Sequence, residues 1–293
     1  MMQKPQQYRR EPFTEGKRRR INVLAILLNV FVPWLVFCLL YALLSFSFHY
    51  EHPTWAWGIV IACLILVVIL GLLTLRRATA PQRSPMWYGY CVLALLAAVI
   101  LAAFLGDINY WYNMQPFFDI ENLNTYPNVD PTLDRGQQRM DAGRVYFTRG
   151  SKIDTSRGVA FKNLDTYCVA PIVNGDSKPD TYDFWAVGIN CCSSVAPDFR
   201  CGQYNNPSAR SGIRLMRDDQ RPFFRLAVQQ AEAAFRLTAA HPLFFYWMQD
   251  PVAEMNEYRD DGFKYYLLGV FAFFVLNIAG VICSAVGFSH LSK

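Results

Sequence analysis

The sequence predicts an α-helical membrane protein with four transmembrane helices and an α+β, disulfide-bonded outer domain inserted between the third and fourth. Three observations predict it. Four long runs carry no charged residue, basic residues gather on one side of those runs, and a 159-residue polar stretch of globular composition separates the third run from the fourth. Across 293 residues, 53% are hydrophobic and only 17% charged, which excludes a disordered chain and argues against an ordinary soluble enzyme.

The apolar runs cover residues 21–48, 55–75, 86–105 and 265–288. A hydrocarbon core of about 30 Å needs roughly 20 helical residues, and each run meets that length. The flanks give the direction. Lys4, Arg9, Arg10, Lys17, Arg18, Arg19 and Arg20 precede the first run against only Glu11 and Glu15. Arg76, Arg77 and Arg83 lie between the second and third, and Lys293 follows the fourth. Basic residues favour the cytoplasmic side, so the tail 1–20, the middle connection and the tail 289–293 are expected there. Residues 106–264 then face the extracellular space or a lumen, in the plasma membrane or an endomembrane. The first run is too long for a signal-peptide core and reads as an uncleaved anchor. Trp55, Trp57, Trp87, Tyr88, Tyr110, Trp111, Tyr265 and Tyr266 mark the interfaces, where amphipathic rings settle.

No run holds an ionisable residue in its interior. Ion-coupled transport needs such groups at membrane depth, so the spans read as packing elements. Asn29 sits four residues before Pro33, where the missing proline N–H leaves a carbonyl without its helical donor and favours a kink. Asn29 and Asn277 are expected to hydrogen-bond between helices. Ala94, Ala98 and Ala102 recur every four residues, as do Gly280 and Ser284, and small residues at that spacing allow close approach of helices or of a second copy.

In the outer domain, residues 107–141 are rich in Asn, Asp and Pro and read as an extended or turn-rich lead-in. Strands are expected at 144–148, 158–162, 166–173, 182–190 and 212–216, where β-branched and aromatic residues lie between turn formers. A helix is expected over 222–240, with Phe224, Ala227, Val228, Ala231, Phe235 and Thr238 on one face. A second begins near 251 and runs into the fourth span.

Cys168, Cys191, Cys192 and Cys201 all fall in this domain, and an oxidising compartment would pair them. A bridge between the adjacent pair would be strained. Each of Cys191 and Cys192 is therefore expected to bond outward, one to Cys168 and one to Cys201. A zinc site is disfavoured by the lack of a C-x-x-C bite, and no metal or cofactor is expected. Catalysis finds little support: the domain has one histidine, His241, with no nucleophile near it in sequence, and no phosphate loop. Nor is there a usable glycosylation acceptor, because Asn206-Pro207-Ser208 is blocked by its proline. A ligand cleft, if present, is expected near Trp185, His241 and Trp247.

The layout resembles that of tetraspanins. Four spans, a tiny first outer loop, a large second one containing Cys191-Cys192, and Asn29 in the first span all match. Tetraspanins carry Cys-Cys-Gly where this chain has Cys-Cys-Ser193. The segments DTYCVAPIV, YDFWAVGINCC and FRCG are similar to a cassette in multipass membrane proteins of dinoflagellate-type protists, which implies a cysteine frame and no particular activity. The expectation is a non-enzymatic scaffold or interaction protein whose outer domain binds partner proteins. An oligomeric pore and a membrane-anchored receptor or enzyme stand as alternatives. The expected partners are the lipid bilayer, other membrane proteins or a second copy, with no nucleic acid.

Overall fold

The computed structural model describes residues 23–78, 86–193 and 197–291. The tail 1–20, Arg83 and Lys293 lie outside the described residues. In chain order the helices and strands are α1 (Val23–Ser45), α2 (Ser47–Glu51), α3 (Pro53–Ala78), α4 (Met86–Asn109), a π-helical turn (Tyr110–Met114), α5 (Gln115–Glu121), β1 (Asn124–Val129), β2 (Ala142–Phe147), β3 (Ser151–Ile153), β4 (Val159–Asn163), β5 (Asp165–Asn174), β6 (Phe184–Ile189), β7 (Ser211–Arg214), α6 (Arg221–Phe235), β8 (Leu243–Met248) and α7 (Pro251–Leu291). Among the described residues four helical stretches, Leu24–Ser45, Pro53–Arg76, Trp87–Glu121 and Pro251–Gly287, are long and apolar enough to cross a membrane. The described residues divide into two compact units, one drawn from 23–44, 54–106 and 267–291, the other from 45–53 and 107–266.

In the first unit, polar groups tie three helices together. The Asn277 amide donates to the main-chain carbonyls of Asn29 at 3.1 Å and Val30 at 2.8 Å. The Tyr90 hydroxyl lies 3.1 Å from both the side-chain and the main-chain oxygen of Asn277. Asn29 uses its own amide within α1, donating to Ala25 O at 2.7 Å. Its contribution to the interface is therefore a carbonyl rather than the side chain. The Trp34 indole donates to Val270 O, and Phe37 stacks on Phe273 with ring centroids 4.3 Å apart.

Small residues set the spacing. Ala94, Ala98 and Ala102 are buried. Gly106 continues their series, and a Cβ there would meet Leu44 Cβ at 2.7 Å. A Cβ at Gly280 would meet the Tyr90 hydroxyl at 2.7 Å, while Ser284, one turn on, is half-buried. Helix α3 buries little beyond Ala56, Val60 and Val67.

The second unit is built on a sheet ordered β1-β2-β7-β8-β6-β5-β3, with β4 pairing to β5. Its β1–β2 and β6–β8 pairs are parallel and the remaining pairs antiparallel. Alternation along β5 divides the core into two layers. Cys168, Ala170 and Ile172 join Phe147, Phe184, Phe245 and Trp247 on one face. Tyr167, Val169 and Val173 join Trp185, Val187 and Phe244 on the other, where α6 lays down Phe224, Ala227, Val228 and Ala231. Beside that layer a third cluster packs Tyr110, Met114, Phe117 and Ile120 against Ile213, Met248 and Met255.

Two expectations are corrected. Residues 107–121 are helical rather than extended, because their polar side chains bond along or between helices. Asn113 donates to Asn109 Oδ1 at 2.9 Å, Trp111 to Asp107 at 3.2 Å, and buried Asn109 to Gly262 O at 2.9 Å. Tertiary partners override the local preference of Asn and Asp for turns. Helix α6 stops at Phe235 rather than residue 240, since Arg236 turns left-handed with φ 54°. The segment after it is held by Ala239 N–H on the Glu232 carboxylate and by Thr238 O accepting from Tyr182 N–H.

Candidate functional site

The disulfide frame follows from strand register. Cys168 on β5 stands opposite Gly188 on β6, which brings the segment after β6 back over the sheet. Cys168 bonds Cys192 and Cys191 bonds Cys201. Both adjacent cysteines bond outward, and the choice between the two pairings is made by the fold. Gly188 makes it possible, because a Cβ there would lie 2.5 Å from Cys201 Cβ and 2.6 Å from Cys191 Sγ. The sulfurs of Cys168, Cys191 and Cys201 lie within 4.8 Å of one another, but all three are held in disulfides. Such bridges each contribute roughly 2–4 kcal/mol. Cys38, Cys63, Cys91 and Cys283 stay outside any disulfide.

The expected cleft of Trp185, His241 and Trp247 does not converge. Trp185 is 0% exposed in the layer under α6, with its indole N–H satisfied by Tyr182 O at 2.7 Å. Trp247 belongs to the layer on the opposite face. His241 is exposed on the connection from α6 to β8. Its part is a main-chain one: its N–H donates to Asp183 Oδ1 at 3.0 Å, and Gly136 N–H donates to Oδ2 at 2.9 Å. Asp183 is only 1% exposed, so one buried carboxylate clamps two loops to the start of β6. Gly136 allows that approach, since a Cβ there would meet His241 O at 2.1 Å.

The concave site takes in Trp247 but neither Trp185 nor His241. A cavity of about 1060 Å³ opens where the π-helical turn, the ends of β7 and β8, the 214–220 connection and the start of α7 meet. That is ample for a small organic ligand, whose sites span about 300–1,000 Å³. Its aromatic walls come from Trp111, Tyr112, Tyr246, Trp247 and Tyr258, with Met216 and Met248 beside them.

The charged groups of this cavity are unequally matched. Arg217 forms a two-bond pair with Asp219, at 3.0 and 2.9 Å, and Asp218 pairs with Arg221 at 2.7 Å. Among the described residues Arg214 has no such partner. Its Nη1 is buried without a hydrogen bond, and the guanidinium sits 5.8 Å from the centre of the Phe245 ring. Burial, reinforced by the like charge of Arg221, lowers its pKa to about 10. Burial likewise pushes the Tyr246 phenol up to about 12, with Tyr258 adding to the effect. An unmet buried donor costs roughly 1–3 kcal/mol, so this wall holds binding capacity that the fold leaves unused. Sequence reasoning missed Arg214; the available signal was the single charged residue within the strand expected at 212–216.

No protein-family model, no curated protein and no solved structure matches this chain.

Proposed function

We propose that the protein is a non-enzymatic, four-pass membrane scaffold whose disulfide-bonded domain binds partner proteins. In this reading both termini and the short middle connection are cytoplasmic, and residues 106–264 face the extracellular space or a lumen. Lopsided basic flanks and the two disulfides support that orientation.

The observation that carries partner binding is Leu164. It forms the tip of the β4–β5 hairpin, between the paired residues Asn163 and Asp165. It is 99% exposed and left-handed at φ 59°. A bulky apolar residue is unfavourable there on both counts, and strained, exposed residues concentrate where a surface has a task. The test is capture of the full-length protein with its bound membrane proteins in mild detergent. Wild type should retain partners that Leu164→Gly loses while remaining folded. Equal capture by the two would contradict the reading.

A second reading, a membrane-anchored ligand-binding receptor, is favoured by the cavity around Arg214. Saturable binding of a small molecule by the purified full-length protein would support it, and failure of a chemically diverse set to bind would remove it.

A further inference from the structure

Among the described residues seven buried side-chain polar atoms lack a hydrogen-bond partner, and three of them, Arg214 Nη1, Gln115 Oε1 and Gln220 Oε1, belong to residues that line the cavity. One is a cationic donor and two are neutral acceptors. Water alone would satisfy the acceptors, but it leaves the buried guanidinium without a counter-charge.

We propose that this cavity binds a small organic monoanion that joins an oxyanion to an apolar or aromatic body and carries N–H or O–H donors. The assignment rests on the ligand-binding reading above and names its chemistry. Arg214 takes the oxyanion, since a planar guanidinium matches carboxylate and phosphate oxygens with paired hydrogen bonds. Gln115 and Gln220 accept from the donors of the ligand. Trp111, Tyr112, Tyr246 and Tyr258 supply rigid flat surface for the body, as aromatic linings do in small-molecule sites.

The charge count selects a monoanion. Arg217 and Arg221 are already paired to Asp219 and Asp218. The carboxylates of Asp119 and Glu254 share the walls and disfavour a second negative charge. Nucleoside polyphosphates and other polyanions are thereby excluded. Two sources meet the remaining description. One is a water-soluble aromatic carboxylic acid. The other is a phospholipid headgroup with a single phosphodiester charge and free hydroxyls.

The experiment uses the full-length protein in phosphatidylcholine nanodiscs. In the soluble arm, calorimetric titration compares indole-3-acetate, its neutral isostere indole-3-acetamide, and 1-naphthaleneacetate, which lacks the N–H donor. In the lipid arm, native mass spectrometry of mixed nanodiscs compares retained phosphatidylglycerol with retained phosphatidylcholine. The proposal expects one arm to show preference for the anion by roughly tenfold or more, with weaker binding of the probe that lacks a donor. Arg214→Gln should abolish the preference and Arg214→Lys should restore part of it. The acid–amide comparison on wild type needs no variant, so it stands even if Arg214→Gln fails to fold. Acid and amide bound equally well, with no lipid preference, would overturn the monoanion assignment and leave the ligand-binding reading intact. No binding in either arm would overturn both.

Discussion

The side-chain amide of Asn277 donates to the main-chain carbonyl of Asn29, 248 positions earlier in the chain, at 3.1 Å. That carbonyl is the one Pro33 deprives of its helical donor, because proline has no N–H to return to the residue four before it. A gap created by one residue is filled by another from a different helix. This pairing fixes which faces of α1 and α7 meet.

Asn277→Leu should therefore destabilise the helical unit by about 1–2 kcal/mol. Pro33→Ala in the same chain should recover part of the loss, because it returns an N–H to Asn29 O. Denaturation of the detergent-solubilised protein measures both, and additive losses in the double variant would contradict the coupling.

Gly188 tests the disulfide frame. Any Cβ there collides with Cys201 and Cys191. Gly188→Ala should displace the Cys191–Cys201 bridge and cost several kcal/mol through overpacking and loss of a cross-link, of the order of 2–5 kcal/mol. Mass mapping of non-reduced peptides should show scrambled or free Cys201; native pairing at wild-type yield would refute the close contact.

Leu164→Gly should stabilise the domain by about 1 kcal/mol, a rise in Tm of about 2–4 °C. The gain comes from releasing the left-handed strain. Paired with lost partner capture, it would mark a residue kept for binding at the expense of stability. An unchanged or lowered Tm would remove the strain argument.

Asp130 sets an acid limit. Burial alone would raise its pKa, but the Thr132 N–H at 2.9 Å, the Thr132 hydroxyl at 2.7 Å and the Asn174 amide at 2.8 Å outweigh it and hold the carboxyl below its usual value. A depressed folded-state pKa means the stabilisation is complete above the unfolded value of about 3.9 and is lost as pH falls through the folded one. Asp130→Asn should lower Tm at pH 7, with the difference shrinking below pH about 4. A difference independent of pH would show that ionisation has no part in it.

Legibility differed by element. The four long apolar helices were readable because each is a long run without charge, and five strands because alternation and turn residues coincide. The strands β1, β3 and β8 were not. Residues Leu243 to Met248 carry apolar side chains to both core layers, Phe244 to one and Phe245 to the other, so no alternation betrays a strand. The helical course of 107–121 was hidden because its polar residues find partners distant in sequence, such as Gly262 for Asn109. The cysteines were legible as a set, and their pairing only through the register that places Cys168 opposite Gly188. The cavity was invisible for a similar reason. Gln115, Arg214 and Gln220 come from different elements, and nothing in their spacing announces that they line one cavity.

The central claim is a four-pass chain carrying its cross-linked domain on the side opposite the basic tail. Pro207→Thr opens acceptors at Asn205 and Asn206 within the domain, and Gln6→Asn with Tyr8→Thr opens one in the tail. Expression in glycosylating secretory membranes reads both by an endoglycosidase-sensitive mass shift. The account predicts glycan on the Pro207→Thr protein and none on the tail variant. Glycan on the tail with none at Asn205 or Asn206 would contradict it.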